Sequence, residues 1–186
     1  MLLPESQEVG QRISVVGTTG SGKTTLACEI SRGLGLPHIE LDTLFWGQDW
    51  TQTPDDVFVE RVSAAVAGER WVIDGNYSRV RDLVWKRAET VVYLDYSFGR
   101  TFWQLLWRTV QRSIRKEELW HGNREDLGKS FFTRDSILWW MLTTYHRRRR
   151  QYTEIFASPA YAHLEVVHLK TPRMKAGWLA GLKFGD

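Results

Sequence analysis

The chain has 186 residues, 42% hydrophobic and 25% charged, which fits one globular domain with a sizeable core. A formal net charge of +3 is too mild to demand a polyanionic partner, and the single cysteine, Cys28, excludes an internal disulfide framework and a cysteine-based zinc site. No apolar run approaches the ~20 residues of a membrane span, and Met1-Leu2-Leu3-Pro4-Glu5-Ser6 is too short and acidic for a signal peptide, so a cytoplasmic protein without a membrane partner is expected.

Arg12-Ile13-Ser14-Val15-Val16 is a short β-rich apolar run. It leads into Gly17-Thr18-Thr19-Gly20-Ser21-Gly22-Lys23-Thr24, then Thr25. Leu26, Ala27, Ile30 and Leu34 recur at helical spacing and predict a helix over 22–34, in which Cys28 is a small buried hydrophobe. His38-Ile39-Glu40-Leu41 reads as a second strand ending at Asp42. Residues 43–53 read as irregular and hold Phe45, Trp46, Asp49 and Trp50. Thr53 as N-cap and Pro54 at the first position predict a helix whose apolar face is Phe58, Val62, Ala65 and Val66.

Trp71-Val72-Ile73 is a third strand, ending at Asp74-Gly75, and a helix follows over about 80–87. Thr90-Val91-Val92-Tyr93-Leu94 is a fourth strand, ending at Asp95. A long amphipathic helix begins near Ser97 and runs through Phe102, Leu105, Leu106 and Thr109. Residues 116–132 are polar and read as a loop, 133–156 as a helix, 164–169 as a fifth strand, and Pro172 onward as a last helix. The alternation predicts an α/β protein with a parallel sheet covered on both faces. Its ligands then sit outside the carboxyl ends of the strands, where the Gly-rich loop, Asp42, Asp74 and Asp95 converge. Most of the ten tryptophans are expected in the core, with Trp46 and Trp50 as pocket candidates.

The segment from Gly17 to Thr24 fits G-x-x-x-x-G-K-[ST] between a strand and a helix. In such a loop, backbone N–H groups turn toward phosphate oxygens. Lys23 reaches the β- and γ-phosphates and the Thr24 hydroxyl faces Mg²⁺. The following helix points its positive end at the same anion. ATP and Mg²⁺ are the expected cofactors.

Asp74 and Asp95 are alternative Mg²⁺ partners, each at a strand end. Asp42 could accept a proton from a substrate hydroxyl. Arg108, Arg112 and Arg115 share a helix face and lead into the polar loop with Arg124, an arrangement suited to a lid over triphosphate. Of Arg147 to Arg150, only one or two can face a common site.

These residues together resemble the P-loop kinase family that contains adenylate kinase and related nucleoside monophosphate kinases, over nearly the whole chain. The narrower match is Trp71-Val72-Ile73-Asp74-Gly75, similar to that family's strand ending in Asp-Gly. The segment from Val91 to Arg112 is similar to its next strand and helix. On this match Arg108 stacks on adenine and Arg112 contacts phosphates. Lys170-Thr171-Pro172 resembles the loop that cups adenine. The Asp42 to Asp74 segment looks like the bacterial subgroup labelled adenylate-kinase-related or DNA-topology-modulation proteins. The resemblance implies a single P-loop NTPase domain over 1–186, three layers α/β/α with a five-stranded parallel sheet. Its core would be 10–41, 70–112 and 133–186, with an acceptor-binding insert over about 42–69 and a lid over about 113–132. As a monomer or homodimer it would move the γ-phosphate of ATP to a small acceptor.

Adenylate kinases follow Asp-Gly with Phe-Pro-Arg, but here Asn76-Tyr77-Ser78 intervene before Arg79 and Arg81. No Lys or Arg lies between Pro37 and Glu60, where the family places another acceptor-phosphate arginine. The acceptor pocket is therefore expected to use Asp42, Phe45, Trp46, Asp74, Gly75 and Arg79 and to take a less charged acceptor with hydroxyls and a flat or apolar face, with AMP disfavoured, although Arg79 and Arg81 could still serve a phosphate-bearing one. Two further readings follow from the same residues. One is a nucleotide-dependent DNA-binding or regulatory protein, which the basic second half permits. The other is an ATPase without an acceptor.

Overall fold

Five strands, β1 (Arg12–Gly17), β2 (His38–Glu40), β3 (Trp71–Asp74), β4 (Thr90–Leu94) and β5 (Glu165–Leu169), pair in parallel in the order β2-β3-β1-β4-β5. The coordinates are a computed structural model that describes residues 9–115, 118–123 and 137–182. β1 is central, and Val15 lies level with Asp74 on one side and Val92 on the other. β2 carries Glu40 opposite Asp74. The central strands are buried on both faces, which is why they read as unbroken apolar runs rather than as alternations.

Alternate side chains of β1 feed two separate cores. Ile13 and Val15 pack with Leu26, Ala27 and Ile30 of α1 (Lys23–Leu34) and with Trp178 of α7 (Pro172–Gly181). On the opposite face Val16, Ile73, Val91 and Tyr93 pack with α3 (Asp55–Ala65), α4 (Ser78–Trp85) and α6 (Ile137–Phe156). The result is a three-layer α/β/α fold. The chain leaves β1 toward one face and β3 toward the other, so the two strands part at their carboxyl ends. That crevice is where ligands collect in such sheets. A third cluster, Leu105, Met141 and Tyr145, joins α5 (Phe98–Arg115) to α6.

Several expectations are corrected. β2 ends one residue early, and Leu41–Phe45 is a short helix, α2, rather than loop. Leu41 is buried where the backbone of Gly75 passes. A Cβ on Gly75 would sit 2.7 Å from that of Leu41, and its φ of 141° is tolerated by glycine alone. Thr53 does not cap α3. Its hydroxyl donates to the Leu44 carbonyl (3.1 Å), and Pro54 occupies the cap position.

The tryptophans divide differently from expectation. Only Trp71, Trp85 and Trp178 are buried, whereas Trp50, Trp103, Trp107, Trp139 and Trp140 are exposed. On α5 the repeat that puts Trp103, Trp107 and Ile114 on one side is the helical period itself. The composition counts these rings without saying which face they take. Cys28 is half-buried rather than a core hydrophobe. Of the expected helix over 133–156, residues 133–136 lie outside the described residues.

Trp85 joins the layers. It stacks on Phe156 (centroids 5.5 Å apart), and its indole N–H donates to the Ser14 hydroxyl (3.2 Å). Trp85→Ala should cost about 3–5 kcal/mol through the cavity left in the core, read as a lower urea midpoint.

Candidate active site

The Gly-rich loop turns at the carboxyl end of β1 and enters α1. Gly20 adopts a φ of 82°, and a Cβ there would lie 2.7 Å from the Leu105 Cβ of α5. The loop is thus pressed between sheet and α5, and only glycine allows that approach. Gly22 caps α1 without a side-chain hydrogen bond, so the first-turn N–H groups remain open to an anion. Thr18 and Ser21 are buried, and their hydroxyls have no partner among the described residues. Buried hydroxyls without partners are costly and are common where a ligand completes the bonding. Thr19 is half-buried and Thr25 exposed on the first turn of α1.

Lys23 lies half-buried in this loop and donates to the Thr18 carbonyl (3.3 Å). Burial lowers its pKa to about 8, against the pull of Asp74 and Asp42. Arg148 and Arg108 reinforce the lowering, so four charged groups surround one ammonium.

The carboxylates occupy three positions around the loop. Asp74, 3% exposed, accepts the Thr24 hydroxyl on Oδ2 (2.7 Å) and a hydrogen bond from His38 Nε2 on Oδ1 (2.8 Å). Glu40 lies 3.5 Å from the same Thr24 hydroxyl. Burial raises its pKa, and a hydrogen bond from Trp120 opposes the rise. Asp42, in the first turn of α2, accepts a short hydrogen bond from the Tyr77 hydroxyl. Burial raises the Asp42 pKa despite Tyr77 and Lys23, which places its proton affinity above that of an ordinary aspartate. Burial also pushes the Tyr77 phenol far up, with Asp42 adding to it, so Tyr77 acts as a donor.

Among the described residues no group of three or more His, Cys, Asp or Glu side chains could hold a metal ion by itself. That is compatible with Mg²⁺, which keeps several waters and takes one or two carboxylates plus substrate phosphates. Thr24 and Asp74 have the right donor chemistry for such a shared site.

Asp95 lies elsewhere. It is 7% exposed and ion-paired to Arg149 Nε at 2.5 Å, and it also meets His168 Nε2 at 2.9 Å. Arg149 and His168 occupy its oxygens, and the structure does not bring it to Thr24.

The arginines sort by what they face. Arg108 and Arg112 are half-buried on α5, and the charge of Arg108 acts on both Lys23 and Asp42. Arg148 is half-buried on α6, where burial lowers its pKa and Arg147 and Arg81 reinforce this. Arg81 and Arg148 act together on Tyr152, whose phenol burial pushes up to about 12. Arg81, Tyr77, Asn76 and Tyr152 line a cleft beside β1 and β3. Among the described residues neither Arg81 nor Arg148 meets a carboxylate. Arg79 instead pairs with Asp55 and lies 6.0 Å from the Phe45 ring centre, on the outer rim. Arg147 and Arg150 are exposed. Arg124 and most of the loop expected to form a lid lie outside the described residues.

The part of that loop that is described docks on the insert. Asn123 donates to the Gly47 carbonyl (2.8 Å) and accepts from the Trp50 N–H (3.0 Å). Trp120 reaches Trp50, centroids 6.2 Å apart, and His121 Nε2 meets the Thr43 carbonyl at 3.2 Å. Trp46 contacts Trp50 and Phe45 edge-on, and Phe45 is buried against Tyr77. Thr171, exposed, uses its hydroxyl to cap α7 at the Met174 N–H (3.1 Å).

Glu40, His38, Tyr77 and Arg148 are not distinguished as site residues by the sequence, whereas Arg81 is, beside Arg79. The periodicity of β2 could have pointed to Glu40 and His38, since both share one face of the strand that precedes Asp42. Nothing local distinguishes Arg148 from its three neighbours.

The chain resembles a gluconokinase from Sinorhizobium meliloti 1021 at TM-score 0.53 and 19% identity, over 94% of this chain and 93% of that one. It also resembles a shikimate kinase from Bacteroides thetaiotaomicron at TM-score 0.54 and 16% identity, over 91% and 94%. A shikimate kinase from Aquifex aeolicus follows at TM-score 0.50 and 15% identity, over 91% of each chain. At these identities the likeness is one of fold. No protein-family model matches the chain, and no curated protein sequence does.

Two outcomes follow from this geometry. Lys23 binds fewer protons in the folded protein than in the unfolded chain between pH 8 and 10.5, so stability rises with pH across that window. Below it the half-buried ammonium costs roughly 3 kcal/mol. Lys23→Met should therefore stabilise the nucleotide-free protein by roughly that amount at pH 7. The gain should shrink toward pH 10.5, as urea denaturation at several pH values would reveal. Asp95→Asn should lower stability by about 1–3 kcal/mol while leaving Mg²⁺–nucleotide affinity, measured by calorimetry, at the wild-type value.

Proposed function

We propose that this chain is an ATP-dependent phosphotransferase whose acceptor is a small molecule bearing a hydroxyl and a separate anionic group. One observation carries the reading. A half-buried lysine in a phosphate-type loop lies among Asp42, Asp74 and Arg108, while Arg81, without a carboxylate partner among the described residues, lines the adjoining cleft, and the charge of Arg148, likewise without one, acts on Tyr152 in its wall. Half-buried guanidinium groups without a counter-charge favour an anion, most strongly a carboxylate or phosphate gripped by two donors.

The residues divide the work. The open N–H groups between Thr18 and Thr25 and the Lys23 ammonium hold the β- and γ-phosphates, while the Gly17 N–H donates to Asn76 Oδ1 (3.3 Å). Thr24 and Asp74 would hold Mg²⁺, which when bound neutralises charge on the phosphoryl oxygens. Asp42 takes the proton of the acceptor hydroxyl, and burial, which raises its pKa above that of an ordinary aspartate, strengthens it as a base. Tyr77 keeps Asp42 oriented. Arg108 and Arg112 face the phosphates from α5, and Thr171 lies in the loop that would border the base. The insert over about 42–69 holds the acceptor, with Phe45, Trp46 and Gly75 forming its wall. Trp120 to Asn123 belong to a lid that closes on it and excludes water. Arg81, rather than Arg79, is the acceptor arginine in this reading, because Arg79 is paired with Asp55.

Fold likeness to a gluconokinase and to shikimate kinases supports phosphoryl transfer to a small molecule. Among the described residues no helix is long and apolar enough to cross a membrane.

The test is ADP release in the presence of hydroxy acids, phosphorylated sugars, neutral polyols, nucleosides and nucleoside monophosphates. Acceptors with both a hydroxyl and an anionic group should accelerate it, and neutral polyols should not. With the best acceptor, Asp42→Asn should reduce kcat by about 100-fold or more. Arg81→Leu should raise the acceptor KM by about 10-fold or more with the ATP KM unchanged. Full-rate ATP turnover without any acceptor would sink the proposal.

A further inference from the structure

Between α1 and the sheet runs a chain of polar contacts drawn from three elements. Thr24 and Cys28 lie one turn apart on the same face of α1. His38 projects from β2 and Asp74 from the end of β3. Cys28 Sγ lies 3.5 Å from His38 Nδ1, His38 Nε2 lies 2.8 Å from Asp74 Oδ1, and the Thr24 hydroxyl lies 2.7 Å from Asp74 Oδ2.

The direction of each bond follows from donor inventory. An ionised carboxylate only accepts, so His38 Nε2 and the Thr24 hydroxyl both donate to Asp74. In the neutral imidazole, Nδ1 is then the acceptor, and the thiol of Cys28 is the donor it finds. Burial raises the Cys28 pKa, which keeps the sulfur protonated and able to donate.

Resting on the phosphotransfer reading above, we infer that His38 is a positioning residue for the divalent-cation site: it pins one Asp74 oxygen so that the other faces Thr24, and Cys28 fixes the imidazole tautomer that allows this. The contrast with Asp95 explains the choice of residue. Asp95 is matched by Arg149, whose permanent charge neutralises it. An imidazole orients a carboxylate through one N–H without a permanent positive charge, leaving the carboxylate's charge for a cation. Outer partners of this kind set the rotamer of a ligating group, and their loss weakens metal binding by about 10–100-fold.

The experiment is Mn²⁺ binding to the whole protein with a non-hydrolysable ATP analogue, followed by the electron paramagnetic resonance of free Mn²⁺. Affinity for the analogue in EDTA is measured alongside. His38→Phe should weaken Mn²⁺ binding about tenfold or more without changing affinity for the analogue in EDTA. His38→Gln, which can still donate to Asp74, should recover most of the loss. Cys28→Ala should give a smaller loss of the same kind. Were the phenylalanine variant not to fold, His38→Met makes the same comparison, since it fills the space and cannot donate. Wild-type Mn²⁺ affinity in the non-donating variant overturns the inference, as does an equal loss in the glutamine variant. If the wild-type protein itself takes up no Mn²⁺ with the analogue, the phosphotransfer reading falls instead, and His38 with it.

Discussion

A partly desolvated ammonium is the constraint from which the rest of this structure follows. Lys23 lies half-buried in a loop squeezed between the central strand and α5, and desolvation favours its neutral form. Asp74 and Asp42 oppose that pull, and Arg108 and Arg148 add to it. The same loop buries the hydroxyls of Thr18 and Ser21 without partners among the described residues. Each of these features is unfavourable in the free protein and would be relieved by an anionic ligand.

The carboxylates show how surroundings assign roles to similar residues. Asp74 and Asp95 both end buried strands in the central part of the sheet, and the two sequences read alike. Asp74 meets a hydroxyl and an imidazole at the mouth of the crevice between β1 and β3. Asp95 meets Arg149 and His168 between β4, β5 and α6. The first set leaves a carboxylate able to attract a cation. The second compensates the charge and ties α6 to the sheet. Asp42 differs again, because burial raises its proton affinity while a phenol donor opposes the rise.

The arginines follow the same logic. Arg147, Arg148, Arg149 and Arg150 succeed one another by about 100° around α6, so neighbours in sequence have opposite surroundings. Arg148 lies 5.6 Å from the Trp140 ring centre and its charge acts on Tyr152, Arg149 turns toward Asp95, and Arg147 and Arg150 are exposed. Likewise Arg79 and Arg81 fall on different sides of α4, one against Asp55 and Phe45 and the other in the cleft. A two-residue difference in sequence thus separates an outer ion pair from a candidate anion site.

Much of the fold was legible before any coordinates, because it rests on local chemistry. Strands buried on both faces read as apolar runs, helices as apolar repeats of three and four, and the phosphate-type loop as a spaced set of glycines with a lysine. From these alone come the parallel sheet, its two covering layers and the edge where Lys23, Thr24, Asp42 and Asp74 meet. The pairing of those residues with others was not legible. Glu40 beside Thr24, His38 behind Asp74, and Arg149 on Asp95 all join distant segments, and no single segment carries their signal. The outward tryptophans of α5 escaped for a related reason, since composition counts an indole without saying what covers it. The sequence by itself determined the sheet, the loop and the end of the molecule where a site can form, because backbone propensity and hydrophobic period act over a few residues. Only the tertiary structure decided which acid faces the loop and which is tied to an arginine, because a charge takes its role from neighbours brought together by the packing of helices on the sheet.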